Sequence, residues 1–259
     1  MNLKLFDILR KGSSRSGPRE PISARFLHCG DSAIAVELAS EIDEKANQRV
    51  IMLAEDLAKR PIMGIEEVVP TYRSLLVLYD PEIIRGQGLI EAVTERLEAL
   101  VDSAKATRSF TIPVLYGHEA GLDLEEMAQM KGLTPQDVIS IHSSAEYRVY
   151  MIGFAPGFAY LGGVPEILHT PRLKVPRQHI EAGSIGIGGK QGNINSVSSP
   201  SGWRFLGRTP LKLFDANRSE PFLLQAGDRV SFRPIEPDEA QALDAAVARG
   251  ETCLEVNAQ

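Results

Sequence analysis

Between residues 153 and 210 stand Arg172, Lys174, Arg177, Lys190, Arg204 and Arg208, opposed only by Glu166 and Glu181. The segment therefore carries a net charge of +4 in a chain whose formal charge is −6. A guanidinium pairs two oxygens at once, so arginines on a bent backbone suit a carboxylate or a phosphate. The cluster as a whole is the candidate for holding such an anion; solvated charges and loop-pinning salt bridges are the alternative. Gln191, Asn193 and Asn195 alternate, which on an extended chain sets three amides on one side. Such amides are costly to bury unsatisfied, so they either line a polar pocket or tie loops together. The histidines offer less. His28, His118, His142, His169 and His179 include no pair at a metal-binding spacing. His142, just before a strand, is a candidate general base, although a satisfied histidine at a helix end is the commoner fate. No metal site is expected.

The backbone that must position these groups is unusual. Residues 153–210 hold 11 of the chain's 22 glycines and 6 of its 16 prolines. Long helices and long uninterrupted strands do not fit such a segment; short strands with tight corners do, as in a β-barrel. "GFAPGFAYLGG" (153–163) adds Phe154, Phe158 and Tyr160 to four glycines and Pro156. "AGSIGIGGKQGNINS" (182–196) fails the phosphate-loop pattern, because Gly189-Lys190 is followed by Gln191 and the upstream glycine position is Ser184. The dinucleotide pattern fails as well, since no glycine stands three residues after Gly188. No complete set of nucleophile, base and orienting group is legible, which points to a binding module or to half of a site shared with another chain.

Elsewhere the patterning is regular. "RFLHC" and "AIAVEL" flank "GDS" as a hairpin. Ala46, Val50, Leu53, Ala54 and Leu57 share one helical face, as do Ile90, Val93, Leu97, Leu100 and Val101. "IEEVVP" and "YRSLLVLY" read as strands, and "SFTIPVLY" completes a split βαβ order with an extra leading strand. Two short helices follow, the second capped by Thr134 with Pro135 at its first position. "EYRVYMIG" is a strand of alternating character. "EPFLLQAGDRVSFRPI" reads as two strands around a turn, and "PDEAQALDAAVARG" as a helix ended by Gly250. Residues 1–23 read as a loose extension without a secretory signal, in which Leu3–Leu9 could dock as a short helix. Apolar residues make up 43% of the 259-residue chain. That composition gives a soluble protein with a proper core, and the acidic balance argues against nucleic acid or an anionic membrane as partner. Two distant cysteines, Cys29 and Cys253, suit a reducing cytoplasm.

Six stretches carry a resemblance: "RFLHCGDSAIAVEL", "VVPTYRSLLVLYD", "YMIGFAPGFAYLGG", "PRLKVPRQHIEAGSIGIGGKQ", "SPSGWRFLGRTPLKLFD" and "AGDRVSF". In this order they resemble the family that includes the kinase inhibitor KipI, the B-type component of bacterial 5-oxoprolinase and allophanate hydrolase subunit 1. The resemblance runs from about Arg25 to Pro234. It implies an α+β chain with a ferredoxin-like domain over 24–108 and a cyclophilin-like β-barrel over 109–259. It also implies a KipA-like partner (the C-type component, or allophanate hydrolase subunit 2) and a LamB/YcsF-type protein as the A-type component. With these, 5-oxoproline is opened to glutamate using ATP held at the level of the complex. Two alternatives remain within the family: half of a urea-carboxylase-type carboxyltransferase working with biotin, and a non-catalytic inhibitor of a histidine kinase.

By the same resemblance Arg172, Arg177 and Arg208 would hold an anionic group, and Gln191, Asn193 and Asn195 would contact substrate or partner. Tyr72, Arg73, Phe154, Pro156, Phe158, Tyr160 and Trp203 would wall the cleft at the seam with the partner, and His142 is the catalytic candidate. The family's usual run after the glutamine is Thr-Gly-Ile-Tyr-Pro, whereas Gln191 is followed here by "GNINS", and Ser201 replaces a glycine in "SPSGW". Amides thus replace a hydroxyl and a phenol, a change that leaves another amide or lactam substrate open.

Overall fold

The computed structural model describes residues 24–101 and 107–256. The extension expected over residues 1–23 lies outside the described residues. The first unit comprises β1 (Arg25–His28), β2 (Ala33–Glu37), α1 (Glu44–Lys59), β3 (Ile65–Pro70), β4 (Ser74–Tyr79) and α2 (Gly86–Ala99). Its strands form an antiparallel sheet in the order β1-β2-β4-β3. The period of two buries Ile34, Val36, Leu75 and Val77 on one face, where Val50, Leu53 and Leu57 of α1 and Leu89, Val93 and Leu97 of α2 meet them. Asp43 caps α1 by accepting the Ala46 amide at 2.8 Å.

The second unit comprises β5 (Ser109–Tyr116), α3 (Leu124–Lys131), α4 (Pro135–Ser144), β6 (Glu146–Ile152), β7 (Ala159–Gly162), β8 (Arg177–Ile180), β9 (Ser184–Gly188), β10 (Gln191–Ile194), β11 (Ser199–Ser201), β12 (Arg204–Arg208), β13 (Arg229–Pro234), α5 (Pro237–Ala248) and β14 (Glu255–Val256). The large sheet runs β12-β9-β10-β7-β6-β13-β5-β14, and β12 also pairs with β5. That pairing closes a barrel and leaves β14 beside the start of β5. The barrel interior is filled by Ile112, Val114, Tyr147, Val149, Leu161, Ile185, Ile187, Ile194, Leu206 and Val230. α4 begins with the expected Thr134 cap, here a reciprocal capping box with Asp137.

Three expectations are corrected. "SFTIPVLY" does not join the first sheet: β5 runs parallel to β13 over six register pairs inside the barrel. Its near-continuous apolar run suits a strand with few exposed positions better than a strand with one solvated face. β6 does not alternate in burial, because Arg148 and Tyr150 on its outer face are covered by the first unit. Of the two strands expected in "EPFLLQAGDRVSFRPI", only β13 forms; Phe222 makes an isolated bridge to Phe214.

Candidate functional site

The outer face of the barrel sheet, opposite its interior, carries a second layer of side chains. Register places Tyr160 of β7, Asn193 of β10, Gly186 of β9 and Phe205 of β12 in one cross-sheet row. Side chains directly opposite in neighbouring strands lie about 5 Å apart, so this row is a continuous surface. Around it the rings of Phe154, Phe158, Tyr160 and Trp203 touch in sequence, with Phe158–Tyr160 centroids 4.7 Å apart and Tyr160–Trp203 at 6.1 Å. Tyr72, from the turn between β3 and β4, adds an edge contact to Tyr160 at 6.0 Å and stacks on Tyr150 at 5.2 Å. The shelf is therefore built by both units of the chain.

Glycines explain how rings lie so close to the backbone. A Cβ on Gly162 would stand 2.2 Å from the Tyr150 ring, and one on Gly188 would stand 2.8 Å from Trp203 and 3.0 Å from Arg172 Nε. Both residues are bare because an aromatic ring occupies the place of their side chains. Pro156 is exposed beside Phe154. Phe154 takes φ +69° and leaves 70% of its surface in solvent. A bulky residue in the left-handed region costs of the order of 1 kcal/mol, and here it presents a ring outward.

Cationic groups divide sharply. Arg172 lies over Trp203, its guanidinium carbon 4.5 Å from the ring centroid, and has no carboxylate partner among the described residues. Arg177 is committed instead: both terminal nitrogens donate to Asp123, at 2.9 and 2.7 Å. Asp123 is fully buried and also accepts the Phe205 amide at 2.8 Å. Arg208 is likewise engaged bidentately by Asp244, at 2.9 and 2.6 Å. Of the expected anion-holding arginines, only Arg172 lacks a carboxylate partner among the described residues; the other two pin α3 and α5 to the barrel. Arg73 donates to the Ala39 carbonyl at 2.6 Å and pairs with Glu37 at 3.1 Å, so it braces its own unit.

The amides meet as their alternation implied. Asn193 Nδ2 donates to Asn195 Oδ1 at 2.7 Å, in full burial. Asn193 Oδ1, Asn195 Nδ2, the neighbouring Ser196 Oγ and the Tyr72 hydroxyl are buried without a hydrogen-bond partner. These buried polar atoms lie beside the aromatic shelf, where a satisfied core would pair them. Gln191 is half-buried and pairs in register with Gly188, which sets it at the rim by the Arg172–Trp203 stack. Burial raises the Tyr72 and Tyr160 hydroxyl pKa values, so both phenols stay protonated.

His142 is elsewhere. It is buried in the core, its Nδ1 2.7 Å from the Tyr116 hydroxyl and its ring stacked on Phe232 at 4.8 Å. Burial lowers its pKa to about 3, so it is a neutral packing group remote from any solvent-borne proton. Among the described residues no three His, Cys, Asp or Glu converge as a metal-holding group. The Cβ positions of Gly183 and Gly186 run into the Thr209 and Arg204 carbonyls at 2.3 and 2.9 Å, so these glycines serve strand packing and not a nucleotide.

Sequence reasoning did not single out Asp123, Asn47, Tyr150 or Ser196. Asp123 reads as an ordinary helix-start aspartate. Asn47 lies inside α1 at a position of the buried face, and a polar residue there was the available signal. It donates to the Tyr150 carbonyl at 2.9 Å and the Thr71 carbonyl at 3.2 Å, joining the two units beside the shelf.

The model of the carboxyltransferase domain, subdomain C and D, matches residues 24–224. The chain belongs to the carboxyltransferase C/D family. Within it, the chain is 40% identical over 224 residues to the 5-oxoprolinase B subunit of Bacillus subtilis, covering 82% of this chain and 93% of that one. It is 50% identical over 202 residues to the 5-oxoprolinase B subunit of Haemophilus influenzae, covering 78% and 93%. The Kluyveromyces lactis urea carboxylase superposes with a TM-score of 0.74 at 21% identity, over 90% of this chain and 24% of that one, which shows a shared fold. The C/D family match spans both units, so it includes every residue of the shelf. Among the described residues no helix is long and apolar enough to cross a membrane.

Proposed function

We propose that this chain is the B-type component of a 5-oxoprolinase, a cytoplasmic ATP-dependent assembly that opens a lactam to an amino acid. The observation that carries this reading is the half-built character of the shelf. It offers apolar rings, one uncommitted guanidinium and orphaned amides, yet no nucleophile activated by a neighbouring base. Arg172 would receive the ring carboxylate of 5-oxoproline, and Tyr160 and Trp203 the face of its ring. The amides of Asn193 and Asn195 and the Ser196 hydroxyl offer both donors and acceptors to the lactam edge. Exposed Phe154, with Pro156, faces the KipA-like chain that completes the site. The third component is a LamB/YcsF-type protein. Gly183 and Gly186 are taken up by strand packing, so no step at this shelf is routed through ATP; the nucleotide belongs to the complex. In this reading the first unit is a ferredoxin-like variant whose closing strand has gone to the barrel, and the barrel is cyclophilin-like.

Reconstitution tests it. The three purified components together should release glutamate from 5-oxoproline in the presence of ATP, and omission of any one should abolish the activity. Turnover by this chain alone, or an inert mixture of well-folded components, would refute the reading.

A further inference from the structure

Asn47 stands on the buried face of α1 with no surface in solvent. A carboxamide in such a place is costly unless its hydrogen bonds are met. Here they are met across the joint between the two units. Its Nδ2 donates to two backbone carbonyls, that of Tyr150 in β6 at 2.9 Å and that of Thr71, in the turn between β3 and β4, at 3.2 Å. Its Oδ1 accepts Arg148 Nε at 3.3 Å.

Those two carbonyls are the backbone mounts of one ring pair. Thr71 immediately precedes Tyr72, and its turn is braced: the Thr71 amide and hydroxyl both donate to the Ser74 carbonyl, at 2.8 and 3.0 Å. Tyr72 stacks on Tyr150 with 5.2 Å between centroids and 24° between planes, and its edge meets Tyr160 at 6.0 Å. Tyr150 rests in turn on the bare backbone of Gly162. The far end of Tyr72 is not tied, since its buried hydroxyl has no hydrogen-bond partner among the described residues. The place of this ring on the shelf is therefore set from its backbone side. Glu44 ties the same joint in another way. It pairs with Arg229 and stands 3.7 Å from Arg148, which anchors the start of α1 to the barrel without a bond to either carbonyl.

We propose that Asn47 is a positioning residue for the shelf. Its one carboxamide, bridging the Thr71 and Tyr150 carbonyls, seats Tyr72 against Tyr160 and so fixes the wall that the first unit lends to the ligand. The inference rests on the reading of the shelf as the lactam site. Asn47 acts through Tyr72, so its loss weakens ground-state and transition-state binding alike, which raises KM and spares kcat.

Asn47→Asp tests this, because it keeps the size of the side chain and the acceptor for Arg148 while removing both donors. In the reconstituted assembly it should raise KM for 5-oxoproline at least about fivefold with kcat within about twofold. Added to Tyr72→Ala it should cost nothing further, since the ring it serves is already gone. Glu44→Gln loosens the joint but leaves the bridge, and should hold KM within about twofold. Placement is read separately in the full chain alone. Nuclear Overhauser contacts between the Tyr72 and Tyr160 rings should vanish in Asn47→Asp and persist in Glu44→Gln. If Asn47→Asp does not fold, Asn47→Ser carries the same expectations. An unchanged KM, additive losses in the double variant, an equal rise in Glu44→Gln, or ring contacts that survive removal of the donors would overturn the proposal. An inert wild-type assembly would refute the lactam reading instead, and the ring contacts would still decide whether Asn47 seats Tyr72.

Discussion

The Arg172 guanidinium and the Trp203 indole form a stack, 4.5 Å from charge centre to ring centroid, that rests on the bare backbone of Gly188. The stack fixes the one cation of the shelf without neutralising it, since a ring face holds a guanidinium while leaving its edge donors free. Arg172→Gln should therefore reduce kcat/KM of the reconstituted complex by about 100-fold or more, the loss of one charge-assisted contact. Arg172→Lys should recover little, because it lacks the planar fork. Thermal melting of the chain should move only slightly in both. Trp203 is the only tryptophan, so its fluorescence should report the unstacking directly, and in Gly188→Ala it should shift even with Arg172 in place.

Two arginine–carboxylate pairs of equal geometry should behave unequally. Asp123 is wholly buried and serves Arg177 and the Phe205 amide together, whereas the Arg208 and Asp244 side chains are 30% and 42% exposed. Asp123→Ala should cost about 3 kcal/mol or more, since it strands a guanidinium and an amide at once. Asp244→Ala should cost about 1 kcal/mol or less. Urea denaturation of both variants measures the contrast; equal losses would contradict the assignment of Asp123 as the anchor of α3.

Acid should loosen the core through His142. Its pKa falls from an ordinary 6.5 to about 3 on folding, because burial disfavours the imidazolium. The unfolded chain therefore binds more protons between these values, and stability is complete above about pH 6.5 and declines as pH falls toward 3. The slope approaches about 1.4 kcal/mol per pH unit below about pH 6 from this residue. Unfolding midpoints at pH 7.5 and pH 5 should differ in the native chain, and His142→Gln should flatten that difference while lowering stability at both values. Complex activity assayed above pH 7 should survive the substitution in whatever fraction remains folded.

Phe154 separates fold from assembly. Its φ of +69° suits glycine better than phenylalanine, and its ring is mostly exposed. Phe154→Gly should leave stability within about 1 kcal/mol, the left-handed strain relieved offsetting the added freedom of the unfolded chain. Affinity for the completing partner should fall at least tenfold in calorimetry or biolayer measurements. A marked loss of stability with intact association would assign the ring to the fold instead.

Much of this was legible in the residues, for identifiable reasons. The apolar faces of α1 and α2 and the Thr134 cap follow from local periodicity and capping chemistry, and both recur in the structure. The aromatic shelf was legible because rings and glycines in one short stretch have few other uses. What escaped depends on distant partners. Nothing near Arg177 or Arg208 in sequence reveals that Asp123 and Asp244 will claim them, so one net charge stood for three unequal guanidinium groups. "SFTIPVLY" reads as a strand, but its choice of sheet depends on β13, more than a hundred residues later. His142 shows the same limit: its place just before a strand suggested a general base, and only packing against Tyr116 and Phe232 reveals a core ring.

The seating of β5 between strands from the far end of the chain has a consequence for biosynthesis. The first unit, complete by residue 99, can fold while the ribosome is still working. The barrel cannot close until β12 and β13 have emerged. Tyr72 thus waits in a finished scaffold for Trp203 to arrive, and a nascent or truncated chain displays no shelf. Stalled translation products would then be unable to recruit the completing partner, so the order of synthesis itself acts as a quality check.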